Sequence, residues 1–140
     1  MSRYRFRLES VLRVRRVQEE RSRAELAMAR LAELEAQKAT ARRVGLLRRM
    51  TDEGLPNGTS DEWANQRARS DRMAAAVTAS QVAALHAAEL SQRRLEDWER
   101  AARDLRALER LDERQREEWL VEQSREEQKV LDEISPRKPR

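Results

Sequence analysis

The sequence predicts an all-α protein, a long antiparallel two-helix coiled-coil hairpin with a C-terminal single-helix overhang. Charged residues make up 40% of the 140 positions and aromatic residues only 4%. The chain has 3 glycines and 3 prolines, fewer turn-forming residues than a β-sandwich, a barrel or a doubly wound sheet needs. Its composition is dominated by Ala, Leu, Glu, Arg and Gln, which favour helices.

One segment interrupts the helical composition strongly, at residues 52–60. It holds two of the three glycines, Pro56 and an Asn-Gly pair. Glycine and asparagine tolerate a positive φ and proline stops a helix, so the segment is typical of a turn. Ser60 or Thr59 can cap the helix that follows, and the acidic pair after them faces the positive end of the helix dipole.

This turn divides the chain into two predicted helices. The first occupies residues 1–51, with regular helical structure from about residue 4, and the second occupies residues 61–134. The Ser-Pro pair at 135–136 ends the second helix. Residues 135–140 are therefore predicted to form a disordered tail.

Apolar residues recur at alternating steps of three and four on both predicted helices, which is the periodicity of a coiled coil. On the first helix this stripe comprises Ala24, Ala27, Leu31, Leu34, Ala41, Val44 and Leu47. On the second it comprises Met73, Val77, Ala84, Leu85, Ala88, Leu95, Trp98, Ala102, Leu105 and Leu108, with a polar break at 91–92. The two stripes predict the surfaces through which the helices pack.

Folding the chain back about residues 56–57 makes the numbers of opposing residues sum to about 113. Segment 24–41, with seven alanines, then faces segment 72–89, with eight. Two alanine-rich faces can approach closely. This match favours a hairpin within one chain over two helices with unrelated partners, and a dimer of long hairpins is the alternative.

The same register leaves residues 113–134 without a partner in the hairpin. This overhang would extend about 33 Å at 1.5 Å per residue. It carries Trp119 and several aliphatic residues among glutamates and aspartates. A lone helix with exposed apolar side chains is marginal in water, so we expect another protein to bind it.

The sequence lacks the residues of an enzyme or a metal site. It has no cysteine, and His86 is its only histidine. No glycine-rich phosphate loop is present, and two helices form no concave pocket for catalysis. We therefore expect no enzymatic activity, cofactor or metal. No apolar run approaches the roughly 20 residues of a membrane span, and the N-terminus is too polar for a secretory signal, so the predicted location is cytoplasmic.

The first 49 residues are strongly basic, with 14 Lys or Arg against 6 Asp or Glu. Eight arginines lie near the N-terminus, and Tyr4 and Phe6 stand between the first of them. The arginines are Arg3, Arg5, Arg7, Arg13, Arg15, Arg16, Arg21 and Arg23. This stretch fits a solvated face paired with nearby glutamates, a protein-docking surface or a nucleic-acid site. Its narrow apolar stripe of Leu8, Val11 and Leu12 makes a helix that lies on a membrane surface the least favoured alternative.

Three stretches of the chain carry a resemblance to a known family. They are Phe6-Arg7-Leu8-Glu9-Ser10-Val11-Leu12-Arg13; Trp98-Glu99-Arg100 with Leu105, Leu108 and Leu111-Asp112-Glu113-Arg114-Gln115; and Glu127-Gln128-Lys129-Val130-Leu131-Asp132-Glu133-Ile134. Together with the single central loop and the longer second helix, they make the whole chain resemble the flagellar export protein FliJ family. The closing stretch is the most specific of the three.

The resemblance implies a stalk similar to the helical stalk of the rotary ATP synthase. Such a protein inserts into the hexameric flagellar type III export ATPase (FliI-like) and promotes assembly of its ring. It also binds the export gate protein (FlhA-like), and it escorts export components, with export chaperones as further partners. The implied location is the cytoplasm, at the periphery of the inner-membrane export apparatus, and a related injectisome is the alternative system.

The resemblance also implies two contact surfaces on this chain. The resemblance implies contacts with the ATPase ring at Arg13, Gln128, Lys129, Asp132 and Glu133, and the predicted overhang adds its apolar residues Trp119 and Leu131. The implied contacts with the export gate are Arg69, Met73, Ala76 and Val77. A nucleic-acid-binding protein and a purely structural coiled coil are the alternatives, whereas the stalk interpretation expects neither nucleic acid nor direct membrane insertion.

Overall fold

A computed structural model describes residues 3–54 and 57–135, which form two long helices. Helix α1 spans Glu9–Asp52 and helix α2 spans Ser60–Ile134. No β-strand occurs within the two described ranges. The predicted all-α fold with two long helices is confirmed.

Helix α1 begins later than the sequence predicted. The Leu12 amide donates to the Leu8 carbonyl at 2.9 Å, and Glu9 lies in this first turn, where a negative charge favours the helix dipole. Upstream of the helix, Phe6 is buried, with 6% of its surface exposed. The prediction of helix from residue 4 was wrong because packing of aromatic side chains, which are weak helix formers, fixes this segment.

The connection between the helices uses residues that the sequence pointed to. Gly54 has a φ of 71°, a left-handed conformation that closes helix α1 without steric cost. The Thr59 hydroxyl accepts from the Glu62 amide at 3.4 Å, and the Glu62 carboxylate accepts from the Thr59 amide at 3.2 Å. This reciprocal pair is a capping box, so Thr59 caps helix α2. Pro56 and the predicted tail beyond Ser135 lie outside the described residues.

The chain divides into two compact units. We name residues 1–20 with residues 99–140 the terminal unit, and residues 21–98 the central unit. Each unit contains a stretch of both helices, so each has its own interhelical packing.

In the central unit, the inward face of each helix repeats every seven residues. On α1 the buried or half-buried positions of this face include Ser22, Leu26, Ala29, Glu33, Ala36, Thr40 and Leu47. On α2 they include Ser70, Met73, Val77, Ser80, Ala84, Ala87, Ser91, Arg94 and Trp98. Alternating steps of three and four residues keep each face on one side of its helix, as in a coiled coil.

The apolar stripe predicted for the first helix lies mostly on the wrong face. Leu31 is 64% exposed. The other exposed members of that stripe are Ala24, Ala27, Leu34 and Ala41. On the second helix only Leu85 was misplaced, and the supposed polar break contains Ser91, which is 7% exposed. Apolarity alone did not mark the true face, because small and polar residues occupy many of its positions.

Two side-chain contacts show the register of the central unit. The Arg94 guanidinium donates to the Glu25 carboxylate at 3.2 Å, and the Thr40 and Ser80 hydroxyl oxygens are 2.9 Å apart. The residue numbers of these pairs sum to 119 and 120, so the predicted sum of 113 was wrong. The heptad faces of the two helices set the register, and the midpoint of the turn does not.

The terminal unit pairs the start of α1 with α2 in the same antiparallel sense. The Arg15 guanidinium donates to the Asp104 carboxylate at 3.2 Å, and Arg16 Nε lies 3.9 Å from Glu109 Oε1. Leu12, in the same part of α1, is buried, with 5% of its surface exposed. Two of the N-terminal arginines therefore pair with acids of α2, where the sequence suggested glutamates of their own helix.

Candidate functional site

The N-terminal segment, residues 3–8, contacts α2 in the terminal unit through Tyr4. The Tyr4 hydroxyl lies 2.7 Å from a carboxylate oxygen of Asp112 and 3.1 Å from its main-chain carbonyl oxygen, and it donates to this pair of acceptors. The Tyr4 and Trp119 ring centroids are 5.9 Å apart, with 54° between the planes. The Arg116 guanidinium carbon lies 5.4 Å from the Tyr4 ring centroid, a cation–π distance. Asp112, Arg116 and Trp119 share one face of α2, and together they hold one aromatic side chain.

A half-open groove of about 1050 Å³ lies beside the N-terminal segment in the terminal unit. Five arginines, two acidic residues and five apolar or aromatic residues line it. These residues are Arg3, Arg5, Arg13, Arg16, Arg116, Glu9, Asp112, Tyr4, Phe6, Leu12, Trp119 and Leu120. The excess of positive charge makes the groove attractive to an anionic group on a partner.

The Tyr4 hydroxyl has an altered acidity in this setting. Desolvation raises the pKa of Tyr4, and the hydrogen bond to Asp112 and the negative charge of Asp112 raise it further, while the charge of Arg116 lowers it. Folding therefore favours the neutral phenol. The neutral Tyr4 phenol stabilises the docking of the N-terminal segment on α2. This stabilisation is complete below the unfolded pKa of about 10, and it is lost as the pH rises through the higher pKa of the folded state.

We expect an absorbance titration of tyrosinate to place the pKa of Tyr4 above the ordinary value of about 10. The signal has a single source, because Tyr4 is the only tyrosine of the chain. Asp112→Asn should bring the pKa down towards the ordinary value, since it removes the neighbouring negative charge. Arg116→Gln should move it in the opposite direction, since it removes the positive charge.

An ordinary or lowered Tyr4 pKa in the unmodified chain would show that the segment does not dock on α2 in solution. Equal Tyr4 pKa values in the two charge variants would show that neither Asp112 nor Arg116 interacts with Tyr4. Helicity measured by circular dichroism is the control, because neither variant removes a buried side chain.

Helix α2 continues beyond Trp119 as a single helix. From residue 120 to residue 135 every described residue is exposed, apart from the half-buried Gln123. At 1.5 Å per residue, the fifteen residues 120–134 extend about 22 Å. The overhang was predicted to begin at residue 113, which was wrong because the N-terminal segment packs against residues 112–119.

The overhang carries exposed apolar side chains. Their exposed fractions are 53% for Leu120, 50% for Val121, 53% for Val130, 67% for Leu131 and 70% for Ile134. Leu131 and Ile134 lie three residues apart and share one side of the helix. Acidic residues surround them, including Asp132 and Glu133. This combination of exposed aliphatic and charged side chains is typical of a surface that a partner covers.

The residues predicted to contact an ATPase ring fall into two groups. Arg13 and Trp119 both line the groove of the terminal unit, so the structure brings them together. The remaining five lie on the overhang and are exposed: Gln128, Lys129, Leu131, Asp132 and Glu133. Trp119 is half-buried against Tyr4, so it offers only part of its surface to a partner.

The four residues predicted to contact an export gate lie on the first part of α2, in the central unit. Arg69 is exposed, Met73 and Ala76 are half-buried, and Val77 is buried with 8% of its surface exposed. Val77 belongs to the inward face of the helix pair. Arg69 is therefore the most accessible of the four residues.

Asp112 and Arg116 were not predicted to be partners of the N-terminal segment. Tyr4 and Phe6 were noticed among the arginines, but only as aromatics within a basic stretch. The available signal was that they are the chain's only tyrosine and phenylalanine and stand together at the start of a chain with few aromatics. A polar helical chain rarely leaves such a pair unpacked.

His86, the only histidine of the chain, lies among the described residues. No group of three or more His, Cys, Asp or Glu side chains within them is placed to hold a metal ion. His86 Nδ1 lies 3.8 Å from Glu89 Oε2 in an exposed contact. Neither α1 nor α2, over the part of the chain that the structure describes, contains a stretch apolar enough to cross a bilayer.

The fold and the site define an interaction protein, a helical hairpin whose charged groove and single-helix overhang present surfaces for partners. The family model of the flagellar FliJ protein matches residues 4–140, and the chain belongs to this family. Membership supports a role in flagellar protein export, and the family as a whole is a non-enzymatic component of that process. No curated protein and no solved structure matches the chain significantly.

Proposed function

We propose that this chain is the stalk of the flagellar type III export ATPase. It inserts into the hexameric ring of the ATPase, promotes ring assembly and couples the ring to the export gate. It also escorts export components. The observation that carries the proposal is the overhang at residues 120–134, a single helix with exposed aliphatic side chains, on which only Gln123 is half-buried.

A single helix suits the inside of a protein ring. Its diameter with side chains is about 10–12 Å, and it presents side chains in every direction around its axis. An isolated helix of fifteen residues is marginal in water, so contact with a ring would stabilise it. Leu131 and Ile134 supply the apolar part of that contact, and Gln128, Lys129, Asp132 and Glu133 supply the polar part.

The groove of the terminal unit supplies a second contact with the ring. Arg13 lies on its wall with four other arginines, and Trp119 lies beside Tyr4. The groove and the overhang both belong to the terminal unit, so a ring that encloses the overhang can also reach the groove. The charge of the groove favours acidic side chains on the ATPase.

The gate contact is proposed for the first part of α2. Arg69 and the accessible edges of Met73 and Ala76 form this surface, and the buried Val77 supports it from within the helix pair. Contact with a membrane-embedded gate would hold the chain at the cytoplasmic periphery of the inner membrane. The ATPase and the gate would then be engaged by different units of one chain.

Leu131→Asp with Ile134→Asp tests the proposal. Both side chains are largely exposed in the free chain, so folding should be unaffected. Burying each side chain against a ring is worth about 1.5–3 kcal/mol, so binding to the export ATPase should weaken at least about tenfold. The measurements are ATPase binding, ring assembly and the stimulation of ATP hydrolysis.

The matched control is Leu85→Asp, since Leu85 is 65% exposed on the same helix but far from the overhang in sequence. It should bind and stimulate the ATPase like the unmodified chain. If the double variant bound the ATPase and stimulated ATP hydrolysis normally, the overhang would not be part of the contact with the ring. Failure of the unmodified chain to affect an active ATPase would reject the stalk function itself.

A further inference from the structure

Helix α1 carries a second apolar surface on the side facing away from α2. We name it the outer stripe, and it consists of Ala24, Ala27, Met28, Leu31 and Leu34, all exposed in the central unit. Met28 is 72% exposed, Leu31 64% and Leu34 44%. Four of its members, all except Met28, follow alternating steps of three and four residues, which is the spacing of a helix-packing surface. The packing within the central unit leaves this surface open.

We infer that the outer stripe binds a second copy of this chain, with the two α1 helices antiparallel. The inference goes beyond the stalk function, which does not require a dimer. In one antiparallel register the stripe matches itself, with opposing residue numbers that sum to 58. Ala24 then faces Leu34 of the second copy and Ala27 faces its Leu31, so a small side chain meets a large one in each layer. The same two layers repeat across the twofold axis, as an isologous interface requires.

The residues that flank the stripe are complementary in charge in this register. In an antiparallel coiled coil, flanking positions on the same edge of the two helices meet each other. Arg21 of one copy therefore lies beside Glu35 of the other, and the symmetric pair repeats the contact. Met28 meets its own counterpart at the axis. The Glu35 carboxylate lies 3.7 Å from the Lys38 ammonium in an exposed pair, which leaves it available to a second cation.

The opposite edge of the interface limits its strength. There Arg30 meets its own counterpart near the twofold axis, which is a repulsive contact. The apolar layers are also few, and alanine supplies half of their side chains. The dimer is therefore reversible. Dilution dissociates it into monomers, which can bind another partner.

The average molecular mass in solution, measured as a function of protein concentration, tests the inference. Sedimentation equilibrium should show a shift from the 16.5 kDa monomer towards twice that mass as concentration rises. Arg21→Glu should weaken the dimer about tenfold, since two attractive pairs become repulsive, and the double change Arg21→Glu with Glu35→Arg should restore it. Arg30→Gln should strengthen it. Leu85→Ser, on the exposed surface of α2, is the control and should leave it unchanged.

Cysteine cross-linking tests the orientation, because the chain has no cysteine of its own. Met28→Cys should form a disulfide-linked dimer under mild oxidation. Arg21→Cys should not link to itself, yet it should link to a Glu35→Cys chain when the two are mixed, which only an antiparallel register allows.

Three outcomes would overturn the inference. The first is a monomer at all concentrations with no Met28→Cys cross-link, and the second is a dimer that Leu31→Asp does not disturb. The third is loss of ATPase binding by Leu31→Asp in a chain that never dimerises, which would assign the outer stripe to the ATPase. Circular dichroism confirms in each case that the variant remains helical.

Discussion

Leu26→Ala should lower the free energy of unfolding by about 2–4 kcal/mol, because it removes one of the few buried aliphatic side chains. Leu26 is 6% exposed on the inward face of α1, and only Phe6, Leu12, Ala29 and Val77 are comparably buried apolar residues among those described. A small domain has a total stability of about 5–15 kcal/mol, so this single change removes a large fraction of it. Urea unfolding followed by circular dichroism measures the loss.

Leu31→Ala is the matched control for this prediction. It makes the same chemical change five residues further along the same helix, at a side chain that is 64% exposed. Its effect should stay within about 0.5 kcal/mol at a concentration where the chain is monomeric. Equal losses for the two variants, or a larger loss for Leu31→Ala, would mean that the outer stripe faces α2 and that the helix pair has the register predicted from apolarity.

The two helices could be predicted because their signals are local. Strong helix formers fill both segments, and Gly54 and Thr59 end one helix and begin the next through interactions within a few residues. Such signals depend only on residues that are close in the sequence. The start of α1 could not be found in this way, because Phe6 and Tyr4 are held by packing and by residues more than a hundred positions away.

The interhelical face could not be predicted from apolarity because α1 has two candidate stripes. The outer stripe holds the larger aliphatic residues, whereas the inward face includes Ser22, Glu33 and Thr40 at the same heptad spacing as Leu26. Which face packs depends on what α2 presents, and α2 presents small residues such as Ser80 and Ser91. The information lies in the match between two helices and in neither one separately.

The candidate site was predictable in its outline. The predicted register left the C-terminal part of the second helix without a partner, and the clustered arginines indicated a charged surface near the N-terminus. Its boundary was not predictable, because it depends on Tyr4 reaching Asp112 and Trp119. A side-chain contact across the hairpin moved the start of the overhang by seven residues and joined Arg13 and Trp119 in one groove.

Ser80→Leu should lower the free energy of unfolding by about 1–3 kcal/mol, because the helices are closely packed at this layer. Ser80 is 4% exposed, and its hydroxyl oxygen lies 2.9 Å from the Thr40 hydroxyl oxygen. A leucine side chain at this position must displace α1 or adopt a strained rotamer. Urea unfolding measures the loss in the free energy of unfolding. The helical circular dichroism signal, compared before and after unfolding, shows whether the helix pair of the variant is folded at the start.

Two control variants separate steric crowding from the lost hydrogen bond. The Thr40 hydroxyl also lies 3.0 Å from the Ala36 carbonyl oxygen, so it keeps an acceptor when the hydroxyl at position 80 is absent. Ser80→Ala should therefore change stability by less than about 1 kcal/mol. Thr78→Leu adds a similar bulk at an exposed position two residues away and should be nearly neutral. If Ser80→Ala cost as much as Ser80→Leu, the hydrogen bond would stabilise this layer and the close approach of the helices would not limit side-chain size there.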